Sequence, residues 1–150
     1  MVPVENLKKV EIFEDLSDEE LEAISKVAET RRVLKDQVIF AEGTVASQLF
    51  ILLEGKVAIE LVTGRHQEAV FYNVEPGHVF GWSGFIHPFK FTATGKAAAD
   101  GLVMTIDRES FHKIVADDHH LGFVVMEGLA EVITKRLRET RMQLIEALNN

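Results

Sequence analysis

The 150-residue chain is 47% hydrophobic and carries a formal net charge of -8, a size and composition that suit one domain with a continuous core. Such acidity repels phosphate backbones and anionic lipid, which argues against nucleic-acid and membrane partners, and no apolar run approaches the roughly 18 residues of a membrane helix. The absence of cysteine excludes disulfides, thiolate zinc sites and cysteine nucleophiles. Because Met1 to Val10 also lacks a signal-peptide core, a cytoplasmic protein is expected.

The first predicted element is a helix from Asp18 to about Glu29. Ser17 and Glu20 have capping-box spacing, Leu16 and Leu21 form a hydrophobic staple, and Leu21, Ile24, Val27 and Ala28 define one apolar face. From Thr30 to Ile106 the texture becomes β-rich, broken by Glu42-Gly43, Glu54-Gly55, Thr63-Gly64, Pro76-Gly77 and Asp100-Gly101. The expected strands are Val38 to Ala41, Gln48 to Leu53, Val57 to Val62, Ala69 to Val74, Phe91 to Ala98 and Leu102 to Ile106. Alternation as in Val57, Ile59 and Leu61 sends one face to a core and the other to water.

After Ile106 the period is helical again, with Asp107 capping a short helix and Ile106 and Phe111 as its staple. Asp117 to His120 form a polar joint. Beyond it Val125, Leu129, Val132, Ile133, Leu137, Leu144, Ile145 and Leu148 trace a stripe along a helix of roughly 25 to 30 residues. Its distal half, Arg136 to Asn150, outruns a small barrel, so the same helix of a second subunit is the expected cover. The predicted fold is therefore mainly β with flanking helices: N-terminal helices over 1–29, an antiparallel β-barrel or jelly roll over 30–106, and C-terminal helices over 107–150.

This order, together with the segments VIFAEGTVASQLFILLEGKVAIEL and VEPGHVFGWSGFI, resembles the cyclic-nucleotide-binding domain family of the catabolite activator and kinase regulatory-subunit type. The Gly81-Trp82-Ser83, His87-Pro88 and Thr92-Ala93-Thr94 pattern is similar to a divergent bacterial branch often seen as stand-alone domains. The resemblance implies a ligand cassette at Phe80, Gly81, Trp82, Ser83, Gly84 and Phe85, continued by Phe91, Thr92 and Ala93. In such a cassette Gly81 and Gly84 admit close backbone approach, and helix-start amides hold a phosphate. It also implies that Thr140, with Arg141 beside it, is the nearest match to the helix hydroxyls that touch the base.

Family members carry a ribose-binding Glu after the Phe-Gly pair and a phosphate-binding Arg on the following strand; here Trp82 and Phe91 stand at those positions. A charged hydrogen bond contributes roughly 1.5–3 kcal/mol, so losing the arginine alone weakens phosphate binding about ten- to a hundredfold. Strand alternation sends Phe91, Ala93, Gly95 and Ala97 to one side and Lys90, Thr92, Thr94 and Lys96 to the other, so neither lysine substitutes. A pocket with Trp82, Phe85 and Phe91 suits either a flat apolar ligand or filling by its own side chains.

Enzymatic readings are weaker. Ser83 sits near a Gly-x-Ser-x-Gly nucleophile elbow, but Phe85 occupies the second glycine's place and no parallel α/β sheet surrounds it. A cupin-like metal barrel would draw on His66, His78, His87 and His112, which are scattered, or on His119 and His120 at the polar joint; no metal-ligand spacing occurs. No cofactor, metal or catalytic residue is expected. The resemblance implies a regulatory module sensing a small ligand, with cAMP or cGMP binding in doubt; a ligand-free dimerisation module is the alternative. DNA-reading relatives add a helix-turn-helix beyond this helix, so with the chain ending at Asn150 DNA binding is not expected of it.

Overall fold

The computed structural model describes residues 2–150. Near the start, α1 (Val4–Leu7) and a 3-10 turn (Glu11–Phe13) bury Leu7, Ile12 and Phe13. α2 spans Asp18–Val27. Its capping box closes as expected: the Glu20 amide donates to the Ser17 hydroxyl at 3.2 Å, and the Ser17 amide to the Glu20 carboxylate at 3.1 Å. The helix stops at Val27 rather than near Glu29 because Ala28 is already extended, leading into β1 (Glu29–Val33). Alternation could not flag this strand, since only Val33 is buried in it.

The remaining strands are β2 (Val38–Phe40), β3 (Gln48–Glu54), β4 (Val57–Val62), β5 (Glu68–Val74), β6 (Val79–Phe80), β7 (Thr94–Ala97) and β8 (Gly101–Asp107). They pair antiparallel in two four-stranded sheets, ordered β1-β8-β3-β6 and β2-β7-β4-β5. The result is a jelly roll. One core lies between the sheets and contains Phe40, Phe50, Leu52, Phe80, Phe91 and Val103. A second forms where Leu49, Ile51, Met104 and Ile106 meet the helices. β3 therefore reads as a continuous apolar run, because its two faces enter different cores.

The strand expected at Phe91 to Ala98 contracts to Thr94–Ala97. Phe91 is instead held extended by a loop: its amide donates to the Thr44 carbonyl at 3.0 Å, and the Gly43 amide donates to its carbonyl at 2.8 Å. The predicted alternation survives this change, with Phe91, Gly95 and Ala97 buried and Lys90 and Thr92 exposed.

α3 spans Arg108–Asp117, capped by Asp107, whose carboxylate accepts from the Ser110 amide at 3.2 Å. A single residue, Asp118, separates it from α4 (His119–Leu148), a helix of 30 residues. The single stripe read along this helix resolves into two faces. Leu121, Val125 and Leu129 are buried on the chain's own body, whereas Leu137, Leu144, Ile145 and Leu148 are exposed. The distal half is not left free: Gln143 Nε2 donates to the Phe71 carbonyl at 3.1 Å, so α4 runs alongside β5.

Candidate functional site

The cassette begins where β6 ends. Gly81 takes a left-handed conformation (φ 59°, ψ 40°) that turns the chain into a single 3-10 turn, Trp82–Phe85. A side chain there would be strained, and its Cβ would lie 2.7 Å from Phe40 and 2.8 Å from Phe50. Gly84 is constrained differently, because a Cβ would collide with the Gln48 backbone. Both glycines therefore serve close packing within the protein, and Gly81 also borders the small cavity beside Trp82 and Phe91.

The cassette is fastened by a residue that motif reading missed. Arg108, the first residue of α3, donates through Nη1 to the carbonyls of Gly84 (2.7 Å) and Ala46 (3.0 Å), and its guanidinium lies 3.7 Å from the Phe89 ring centroid. A cation at a helix N-terminus opposes the helix dipole. That misplacement was the available signal that Arg108 has acceptors elsewhere.

The expected site residues divide into two sets. Gly81, Trp82, Ser83, Phe91, Thr92 and Ala93 line one small cavity with Phe40, Ile59 and Tyr72. Phe80, Gly84 and Phe85 do not line it. Phe80 is fully buried between the sheets, and Phe85 stacks on Phe111 at 4.7 Å in the helix-side core. Thr140 and Arg141 are not brought to the cavity either: the Thr140 hydroxyl donates to the carbonyl of Arg136, and Arg141 is exposed. Arg136, one turn before Thr140, is the residue that turns inward, with its guanidinium 3.4 Å from the Tyr72 ring centroid.

Phe91 decides the shape of the site. Its ring stacks on Phe40 at 4.1 Å with an interplanar angle of 11°, and Phe50 lies 6.1 Å away. What remains is a void of about 40 Å³, against roughly 300 Å³ or more for an ordinary small-molecule pocket. Trp82 is half-buried and packs toward the helix-side core while lining this void. The lining mixes Ser83 and Thr92 with apolar side chains, and burial pushes the Tyr72 phenol above its usual range, partly offset by the adjacent Arg136. Arg136 also bonds Glu139 at 2.7 Å, and its Nε is buried without a partner.

The histidines do not assemble a site around the cassette. His87 is exposed outside the cavity, and His78 pairs with Glu11 at 2.6 Å. Among the described residues, the grouping with metal-ligand spacing is Glu20, Asp118 and His120, at the joint below α4.

A jelly roll with a one-turn cassette at its mouth and a long helix laid across it is the architecture of regulatory cyclic-nucleotide-binding domains. The comparisons agree. Residues 30–118 match the cyclic nucleotide-binding domain family, and the chain belongs to that family. It is 24% identical over 144 residues to a CRP-like cAMP-activated global transcriptional regulator of Mycobacterium tuberculosis, covering 96% of this chain and 62% of the regulator. It is 28% identical over 114 residues to the Drosophila melanogaster cGMP-dependent protein kinase, isozyme 1, covering 74% of this chain and 15% of the kinase. The chain thus spans under two thirds of these curated relatives. Among solved structures, a putative cyclic nucleotide-binding protein from Geobacter metallireducens superposes with a TM-score of 0.79 at 29% identity, covering 91% of this chain and 99% of that one. A cyclic nucleotide-binding domain from Methylobacillus flagellatus shares the fold at 0.85 and 21% identity, covering 96% and 81%.

Proposed function

We propose that this chain is a non-catalytic regulatory module whose cyclic-nucleotide pocket has been closed by its own aromatic side chains, and whose output is the presentation of α4 to a second copy. The observation that carries this reading is Phe91. It stands where the family's phosphate-binding arginine is expected and fills the interior by stacking on Phe40 at 4.1 Å. Removing a cationic donor and occupying its space with an apolar ring disfavours a cyclic phosphate twice, through lost charge pairing and through volume.

The outer face of α4 supports the dimer. Phe123, Met126, Ala130, Ile133, Leu137, Thr140, Leu144 and Ala147 recur at alternating three- and four-residue steps, the spacing of a two-stranded coiled-coil seam. Phe123 (65% exposed) and Leu144 (59%) have no apolar cover within the chain. No helix among the described residues is long and apolar enough to cross a membrane, and the absence of cysteine suits a reducing compartment. We assign the module to the cytoplasm on that basis.

Calorimetry with cAMP and cGMP tests the closed pocket. The natural chain is expected to give no heat of binding at millimolar nucleotide, and a folded Phe91→Arg, Trp82→Glu double variant to bind measurably. Micromolar or tighter binding by the natural chain overturns the proposal, and so does a folded double variant that binds no better than the natural chain.

A further inference from the structure

The helix-bearing face of β3 and β8 is apolar to its end but covered only in part. Strand alternation sends Leu49, Ile51 and Leu53 of β3 to that face, with Leu102, Met104 and Ile106 of β8. Leu49, Ile51, Met104 and Ile106 are buried under the helices, whereas Leu53 and Leu102 are half-buried. Pairing slips at this end: Leu52 lies opposite Val103 and Glu54 opposite Leu102, which makes Leu53 the extra residue of a β-bulge. A cleft of about 320 Å³ opens over these two leucines, walled by Asn6, Lys9 and Val10 of the N-terminal segment and by Glu54, Pro76 and Gly77 of the barrel turns. That volume reaches the small-molecule range, which begins at roughly 300 Å³, whereas about 40 Å³ is left at the cassette.

The walls are tied together by backbone. The Glu11 amide donates to the Gly77 carbonyl at 3.1 Å, and the Gly77 amide to the Leu52 carbonyl at 2.8 Å. Gly77 has φ of 91°, and a Cβ there would lie 3.1 Å from the Lys9 carbonyl, so this turn needs glycine for the N-terminal segment to close against it. The charges on the walls are free while those beside them are not. Lys8 pairs with Glu5 at 3.3 Å and with Asp18 at 3.4 Å, and Lys56 pairs with Glu75 at 3.8 Å. Among the described residues, Lys9 and Glu54 form no ion pair, with each other or with a third group.

We propose that this cleft binds an aliphatic α-amino acid, with the branched side chain on Leu53, Leu102 and Pro76, the carboxylate on Lys9 and Asn6, and the α-ammonium on Glu54. The floor alone would take any apolar body, and Lys9 alone any anion. One free cation and one free anion above an apolar floor together select a zwitterion that carries an apolar side chain. A phosphate ester without a cation is disfavoured by the Glu54 carboxylate. The inference goes beyond the closed-pocket reading and does not depend on it, because no residue lines both this cleft and the cassette cavity. The occupant would touch the chain just before the 3-10 turn on which α4 packs, where a Cβ on Gly128 would lie 3.1 Å from Ile12.

Calorimetry of the full chain with L-valine, L-leucine and L-isoleucine tests the assignment, with isocaproate and isoamylamine as leucine analogues that lack the α-ammonium and the carboxylate respectively. At least one of the amino acids is expected to bind at millimolar concentration or below, and each analogue about tenfold or more weaker than leucine, the effect of losing one charged hydrogen bond. Lys9→Gln and Glu54→Gln, at exposed positions, should each weaken the amino acid by a similar factor. In NMR titration the amides of Leu53, Gly77 and Leu102 should shift, while those of Trp82, Ser83 and Phe91 stay in place. No binding by any of the three amino acids, an analogue that binds as well as leucine, or an affinity unchanged in either variant overturns the proposal. Shifts confined to Trp82, Ser83 and Phe91 overturn it as well, and would count against the closed cassette instead.

Discussion

Replacing Phe91 with alanine tests most directly whether the pocket is closed. Phe91 is 7% exposed and stacks nearly parallel on Phe40 with Phe50 alongside. Removing a buried phenylalanine ring costs about 3–5 kcal/mol, depending on how far the cavity collapses. The adjoining void of about 40 Å³ lets water or neighbouring rings relax into the space, so the lower end, about 3 kcal/mol, is expected. For a chain of 150 residues this lowers Tm by roughly 6–12 °C. Phe91→Leu keeps most of the apolar volume and forfeits the stack, a loss of about 1 kcal/mol. Urea unfolding followed by circular dichroism reads both variants, with a lowered midpoint and an unchanged slope indicating a pure stability change. A loss below about 1 kcal/mol for Phe91→Ala would mean that the ring is not core. The pocket would then be open in solution, and of the case against a nucleotide only the missing cationic donor would stand.

Two further perturbations test the packing of the cassette and the outer face of α4. Gly84→Ala forces a Cβ against the Gln48 backbone, so urea unfolding should show a loss of about 1–3 kcal/mol; a neutral substitution would show that the cassette is not pressed onto β3. Leu137→Glu places a carboxylate on the proposed seam at a position 49% exposed in the single chain. With two copies of Leu137 each contributing about 1.5 kcal/mol, sedimentation should record a roughly hundredfold weaker dimer with helix content unchanged. An unchanged monomer–dimer balance would move the interface elsewhere.

Much of this fold was legible because its local signals are self-sufficient. Ser17 and Glu20 specify a helix start by their own hydrogen bonds, and the glycine turns punctuate the barrel. The places where reading failed are those where a distant element decides. β1 carries exposed Thr30, Arg31 and Arg32 and is a strand because β8 pairs with it. Phe91 lies outside β7 yet faces inward because the Gly43–Thr44 loop holds it. The cassette glycines were legible as positions needing close approach, but what approaches is Gln48, Phe40 and Phe50, which no local pattern reveals. Arg108 and the Tyr72–Arg136 contact join residues far apart in sequence, so only the folded chain brings them together. The helix hydroxyl at Thr140 was matched by analogy, and in the folded chain it is Arg136, one turn earlier, that packs on Tyr72.

On the proposed reading of a closed barrel, α4 stays tied to the rest of the chain. α4 is held to its own body at two levels, by His120 on Glu20 at its first turn and by Arg136 on Tyr72 further along. Leu121, Val125 and Leu129 lie buried along the same inner face. Arg136 sits within a partly desolvated contact, where a cation–π interaction contributes up to about 2 kcal/mol, while the exposed His120 contact depends on charge. The inner and outer faces share one helix, so the proposed seam lies on the same element as both contacts.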